Sequence, residues 1–156
     1  MNLIIFIPGQ ALPQGSKKLG RAFTNPATGR TTHSIIDNNP RLANWRLQVT
    51  NYVRQEMSEH GINAKYPGPV TVTVSFRFAR PLSHYGTGKN ADVLKPDAPV
   101  YVLTAPDLDK LQRAILDGCT DAGLWVDDSQ VVIIHATKRY VDRADRIGAQ
   151  VRVEGF

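Results

Sequence analysis

The segment PDLDKLQRAILDGCTDAGLWVDDSQVV, residues 106–132, carries its acids in two pairs. Asp107 and Asp109 open it, Asp127 and Asp128 nearly close it, and a run with helical periodicity lies between. Residues i and i+2 at the start of a helix can point the same way while Leu108, between them, points to the core. Crowded carboxylates repel, which raises their pKa values and the energy of the fold unless something offsets it. The free N–H groups of a helix start offset part of it for the first pair. On that reading Asp107 is a cap and Asp109 an ordinary first-turn acid. The second pair has no such explanation. Gly123 permits a chain reversal, and a strand from Trp125 returning along the helix would bring the pairs together. Three or four carboxylates then form an all-oxygen set suited to Mg²⁺ or Mn²⁺, and the lack of His and Cys argues against zinc.

Arg113 lies one turn beyond Asp109, and Asp117 one turn further, on the same helix face. One reading is an ion-pair ladder worth roughly 0.3–0.5 kcal/mol per pair. The other is a fixed cation beside a metal site, able to hold a phosphate or the charge developing on it. Charge placement does not separate them, since a solvated acidic helix on a chain that happens to be basic shows the same balance. Residues 107–128 hold six acids against two bases, a local balance of −4 within a net +5, so the rest of the chain carries +9. An acidic island in a basic chain suits an enzyme whose bases hold a polyanion and whose acids hold a cation.

The elements around the island predict a single domain over residues 1–156, long enough to bury a core without staples. Leu3–Ile7 reads as a short buried strand stopped by Pro8-Gly9. The turn-rich, basic PGQALPQGSKKLGR follows as an exposed loop, and RAFTNPATGRTTHSII as two short strands around NPATG. A helix from Pro40 to about His60, capped by Asn39 and ended by Gly61, places Leu42, Trp45, Val49, Val53 and Met57 on one stripe. Val70–Phe78 alternates as a strand with one buried face. Residues 82–105 form a long irregular insertion, more often functional than idle at that length. The second helix buries Leu108, Leu111, Ile115, Cys119 and Ala122. Gln130–Tyr140 and Ile147–Val153 read as a hairpin closed by DRAD. The order is β-ββ-α-β-α-ββ, an α+β fold with a small mixed or mostly antiparallel sheet and two helices.

The pattern DLDKLQRAILDGCTDAGLWVDDSQVV, about 26 residues, resembles the RusA family of Holliday-junction resolvases, common in phages and prophages. The N-terminal strand, basic proline loop, first helix and C-terminal hairpin fit that family's order more loosely. The resemblance implies a homodimeric, Mg²⁺-dependent endonuclease cutting four-way junction DNA, with Asp107, Asp109 and Asp128 as essential acids and metal ligands. Asp127 is the adjacent acid. Where the family has a catalytic helix lysine, this chain has Arg113, which keeps the charge but cannot donate a proton. A junction-binding protein with little cleavage is therefore one alternative, and an acidic-helix interaction module another. Lys17, Lys18 and Arg21, three bases among turn formers, are the expected phosphate contacts, with Lys89 a further one.

Other features carry less. GTGKN at Gly86–Asn90 lacks the spacing and terminal Ser/Thr of a nucleotide-binding phosphate loop, so no nucleotide cofactor is expected. The four histidines lack ligand spacing, and only His84, in the insertion, merits testing. Cys119, the single cysteine, excludes an internal disulfide and falls on the buried stripe. LIIFIP is too short for a membrane span or a signal segment, which places the chain in the cytoplasm of a bacterial or phage-infected cell.

Overall fold

The computed structural model describes residues 2–15, 18–36, 40–143 and 145–156; for 18–20, 33–36 and Pro40 it describes the backbone alone. Eight elements follow in the expected order. They are β1 (Asn2–Pro8), β2 (Lys18–Thr24), β3 (Thr31–Ile36), α1 (Pro40–Glu59), β4 (Val70–Ala79), α2 (Leu108–Ala122), β5 (Val131–Val141) and β6 (Gly148–Gly155). Four strands form one mixed sheet in the order β1-β6-β4-β5, while β2 and β3 pair separately as a ribbon.

The alternating strands and striped helices share one core. Leu3, Ile5 and Ile7 of β1, Val70, Val72, Val74 and Phe76 of β4, and Ala149, Val151 and Val153 of β6 face the helices and are buried. Leu42, Trp45, Val49 and Val53 of α1 meet them, as do Leu111, Ile115 and Cys119 of α2, with Met57, Leu108 and Ala122 partly buried around them. Two glycines set how α2 fits. At Gly118 a Cβ would stand 2.5 Å from Val49 Cγ1, so only glycine lets the helices approach this closely. Gly123 (φ 84°) ends α2 in the left-handed region, its N–H returning to the Cys119 and Thr120 carbonyls. Burial pushes the Cys119 thiol up to about 12, leaving it a packing residue.

Two expectations change. β5 and β6 do not form a hairpin: β5 pairs in parallel with β4, while β6 inserts between β4 and β1, antiparallel to both. The polar turn suits a hairpin, but residues 142–147 are long enough to step over one strand. The burial of β6 against that of β5 decides the order, because Ala149, Val151 and Val153 are all buried whereas Val132–His135 are all exposed. The segment after β1 is also not wholly an exposed loop. Ala11 joins the core, Gln14 N–H donates to Lys110 O at 2.9 Å, and β2 begins at Lys18, so Arg21 sits on a strand. The expected cap Asn39 lies outside the described residues.

The insertion at 82–105 is irregular as expected, with short 3-10 turns at Leu82–His84 and Gly88–Asn90. It is nevertheless fastened. Arg80 pairs with Asp142 and donates to Pro99 O, and Arg143 pairs with Asp92 and stacks 4.3 Å over Tyr85. His84 meets the edge of Tyr140 at 4.8 Å. Residues 100–102 run along the outer edge of β5, through Val102 N–H to Lys138 O and Tyr140 N–H to Val100 O. Among the described residues no helix is long and apolar enough to cross a membrane.

Candidate active site

The first acid pair stands where α2 starts. Asp107 occupies the cap position in extended backbone (φ −67°, ψ 138°), yet its side chain makes no capping hydrogen bond. Its carboxylate instead lies 3.1 Å from Lys110 Nζ, on the surface. The capping role is thus not the one its side chain plays. Asp109 is exposed in the first turn, and neither it nor Arg113 forms a hydrogen bond or ion pair among the described residues. The ion-pair ladder is absent as well: Asp117 turns to Arg46 of α1, 3.5 Å away. Arg46 also holds Asp121 at 2.5 and 2.9 Å, and those hydrogen bonds push the Asp121 carboxyl below the usual range. Four of the six acids are thereby separated by use. Asp117 and Asp121 tie helix to helix, while Asp107 and Asp109 stay open to solvent.

The approach to Asp107 is held from an unexpected quarter. Lys138 on β5 donates to Thr104 O (2.7 Å) and Pro106 O (2.8 Å), fixing the segment that enters α2 through a cis Ala105–Pro106 peptide. A lysine in an alternating strand gives no sequence signal for such a role, because the tie crosses 32 residues. Lys138 therefore escaped the sequence reading, and so did Gln130.

At the other end, Asp127 and Asp128 form a 3-10 turn (Asp128–Gln130) before β5. Asp127 accepts from Ser129 N–H at 2.9 Å, and its hydrogen bonds with Ser129, together with a weaker one with Asp128, lower its pKa. Gln130 braces the turn by accepting from Val126 N–H and donating to the Tyr66 and Gly68 carbonyls. Asp127 is thus the structural member of this pair, and Asp128, exposed, is not the cap. The turn borders an open groove of about 610 Å³ lined by Lys65, Tyr66 and Val132 among others. A second cleft of about 870 Å³, between residues 60–69 and Phe156, contains none of the candidate acids.

The two pairs do not meet within one chain. α2 has 15 residues, roughly 22 Å at 1.5 Å each, and the chain passes Asp127 and Asp128 before it turns back. β5 then runs toward the α2 start and reaches it only at Lys138, ten residues and roughly 33 Å beyond Asp128. Among the described residues no three acid, His or Cys side chains gather closely enough to hold a metal ion. The expected return along the helix exists, but the acids precede it. Of the expected phosphate contacts, Lys17 lies outside the described residues and Lys18 is described by its backbone alone. Arg21 is exposed on β2, and Lys89 is exposed on the Gly88–Asn90 turn.

A match to the family Endodeoxyribonuclease RusA extends over residues 12–154, from within the loop after β1 into β6. The chain belongs to the RusA family. Relatives named crossover junction endodeoxyribonuclease RusA, from Escherichia coli (strain K12), Shigella sonnei (strain Ss046) and Enterobacteria phage 82, are each 46% identical over 41 residues. That stretch is 26% of this chain and 34% of each relative's length. The likeness to these relatives is thus dense but local, whereas the RusA match takes in all the elements except β1.

Proposed function

We propose that this chain is a Mg²⁺-dependent DNA endonuclease that cuts four-way junctions as a homodimer. The observation that carries the reading is the exposure of Asp107, Asp109 and Asp128 without a capping or helix-tying role, in a chain of the RusA family. Their donor set is hard oxygen, which fits Mg²⁺ or Mn²⁺. Bound there, the cation would supply an activated water and compensate charge on the departing 3′ oxygen. Arg113, on the Asp109 face of α2 and exposed, would hold the scissile phosphate as a permanent cation. Junction binding would rest on phosphate contacts and weaken steeply with salt.

The separation of the acid pairs supports the dimer. β5 is an edge strand whose outer edge is lined by residues 100–102 only near its end. Its first half exposes Val132, Ile133 and Ile134, an apolar open edge of the kind that pairs with another strand. Antiparallel pairing of the two open stretches about an axis between Ile133 and Ile134 matches position 131 of one protomer with 136 of the other, and would carry Asp128 toward position 139 of the partner, where the 100–102 segment covers the edge. That position neighbours Lys138 and the Pro106–Asp107 turn. Each site would then draw Asp107 and Asp109 from one chain and Asp128 from the other.

A cleavage assay on a synthetic four-way junction, with and without Mg²⁺, tests the reaction. Binding without cutting selects a DNA-binding protein, and neither binding nor cutting selects an interaction module. Mixing Asp109→Asn with Asp128→Asn subunits tests the shared site, since the mixed dimer has one intact set only if the acids come from both chains. Restored nicking by the mixture is expected; an inactive mixture, with mixed dimers verified, rules the shared site out.

A further inference from the structure

We infer that the β2–β3 ribbon is a junction-reading arm, with Phe23 as the wedge that stacks on a base at the branch point. The inference rests on the proposed function. The first 36 residues contain four Lys and Arg and no acid, so the arm is uniformly cationic in a chain that elsewhere mixes signs. Among the described residues the two strands pair only with each other, and residues 21–32 are exposed throughout. A two-stranded ribbon has the width that a DNA major groove admits. Its tip is set in advance: Ala27 N–H donates to Asn25 Oδ1, Gly29 N–H returns to Asn25 O, and Asn25 N–H bonds Arg30 O.

On this arm Phe23 is 58% exposed, opposite Thr32, which is too small to cover a ring. The Asn25–Arg30 closure puts Arg30 two positions from Thr32 on the same face, so a cation and an aromatic ring stand side by side. That combination is what stacks unpaired bases and holds the adjoining phosphate. The arm is also placed to serve the candidate site. Gln14 N–H is bonded to Lys110 O, one residue after Asp109, and Phe23 is nine residues on, at most about 30 Å of chain. Stacked bases in linear duplex offer no face to such a ring, whereas a branch point does.

Affinities for a four-way junction and a linear duplex of equal length, in EDTA at one ionic strength, test the arm. Phe23→Ala should weaken junction binding about 5- to 150-fold and leave duplex binding within about twofold. Phe23→Trp should retain the preference. Arg30→Gln should weaken both DNAs alike and reduce the salt slope by about one. Equal loss on both DNAs for Phe23→Ala, or no loss on the junction, overturns the wedge. Because Phe23 is exposed and outside the core, the variant's melting temperature should match that of the parent chain. The unmutated chain cutting the junction with Mg²⁺ is read separately, so a failed wedge leaves the proposed reaction standing.

Discussion

The two ends of α2 carry the same residue type in the same number and treat it differently. At the start, Asp107 declines the cap and touches only Lys110 on the surface, and Asp109 has no partner among the described residues, so both carboxylates are exposed. Beyond the far end, Asp127 caps the turn through Ser129 while Asp128 stays uninvolved in the cap. One pair is thus offered whole and the other by half. An acid kept exposed where an easy structural role lies beside it is better evidence of function than its mere presence.

The sharpest break in that comparison is Asp109→Asn. Cleavage should fall at least about 10³-fold while junction binding stays intact or tightens, read by product release and by gel shift. Asp128→Asn should match it, and Asp127→Asn, whose amide oxygen can still accept from Ser129 N–H, should lose about 10-fold or less. Equal losses at 127 and 128 would erase the distinction between the halves of the second pair. Arg113→Ala should slow cleavage about 10²- to 10³-fold, whereas Arg113→Lys should hold within about 10-fold, because fixed charge is the property being tested. Gly118→Ala acts on the helix that separates the ends. The methyl group would drive into Val49 and lower stability by about 1–3 kcal/mol, visible as an earlier thermal transition.

The smallest effect concerns the acids that α2 does use. Arg46 lowers the folded-state pKa of Asp121 below its ordinary value of 3.8. The resulting stabilisation is fully present above that value and fades as pH falls through the lowered one. Arg46→Ala should therefore be less stable than the parent at neutral pH, and the two should converge in strong acid. A gap that widened below pH 4 would remove this account. The pair is more than a third exposed, so the shift is modest once solvent screening is counted.

Much of this was legible in the chain itself. The stripes Leu42-Trp45-Val49-Val53 and Leu111-Ile115-Cys119 are local patterns, and both helices follow them. The alternation of Val70–Phe78 likewise fixed β4. Strand order was not legible, since a short polar connection permits both a hairpin and a step across β4, and only burial of the whole sheet chooses. The candidate acids were found from their spacing, but their separation was not. That depends on whether the chain reverses before or after Asp128, and residues 124–130 give no local sign of it. Lys138 and Gln130 were missed for the same reason, because their partners lie 32 and more than 60 residues away.

The seat of β6 between β1 and β4 also orders events during synthesis. β1, β4 and β5 all leave the ribosome before the strand that joins β1 to the rest. Until residues 148–155 emerge, β1 has no partner in the main sheet and the floor beneath both helices stays open. Until that strand is made, the nascent chain carries both acid pairs that flank α2 without a finished support beneath them.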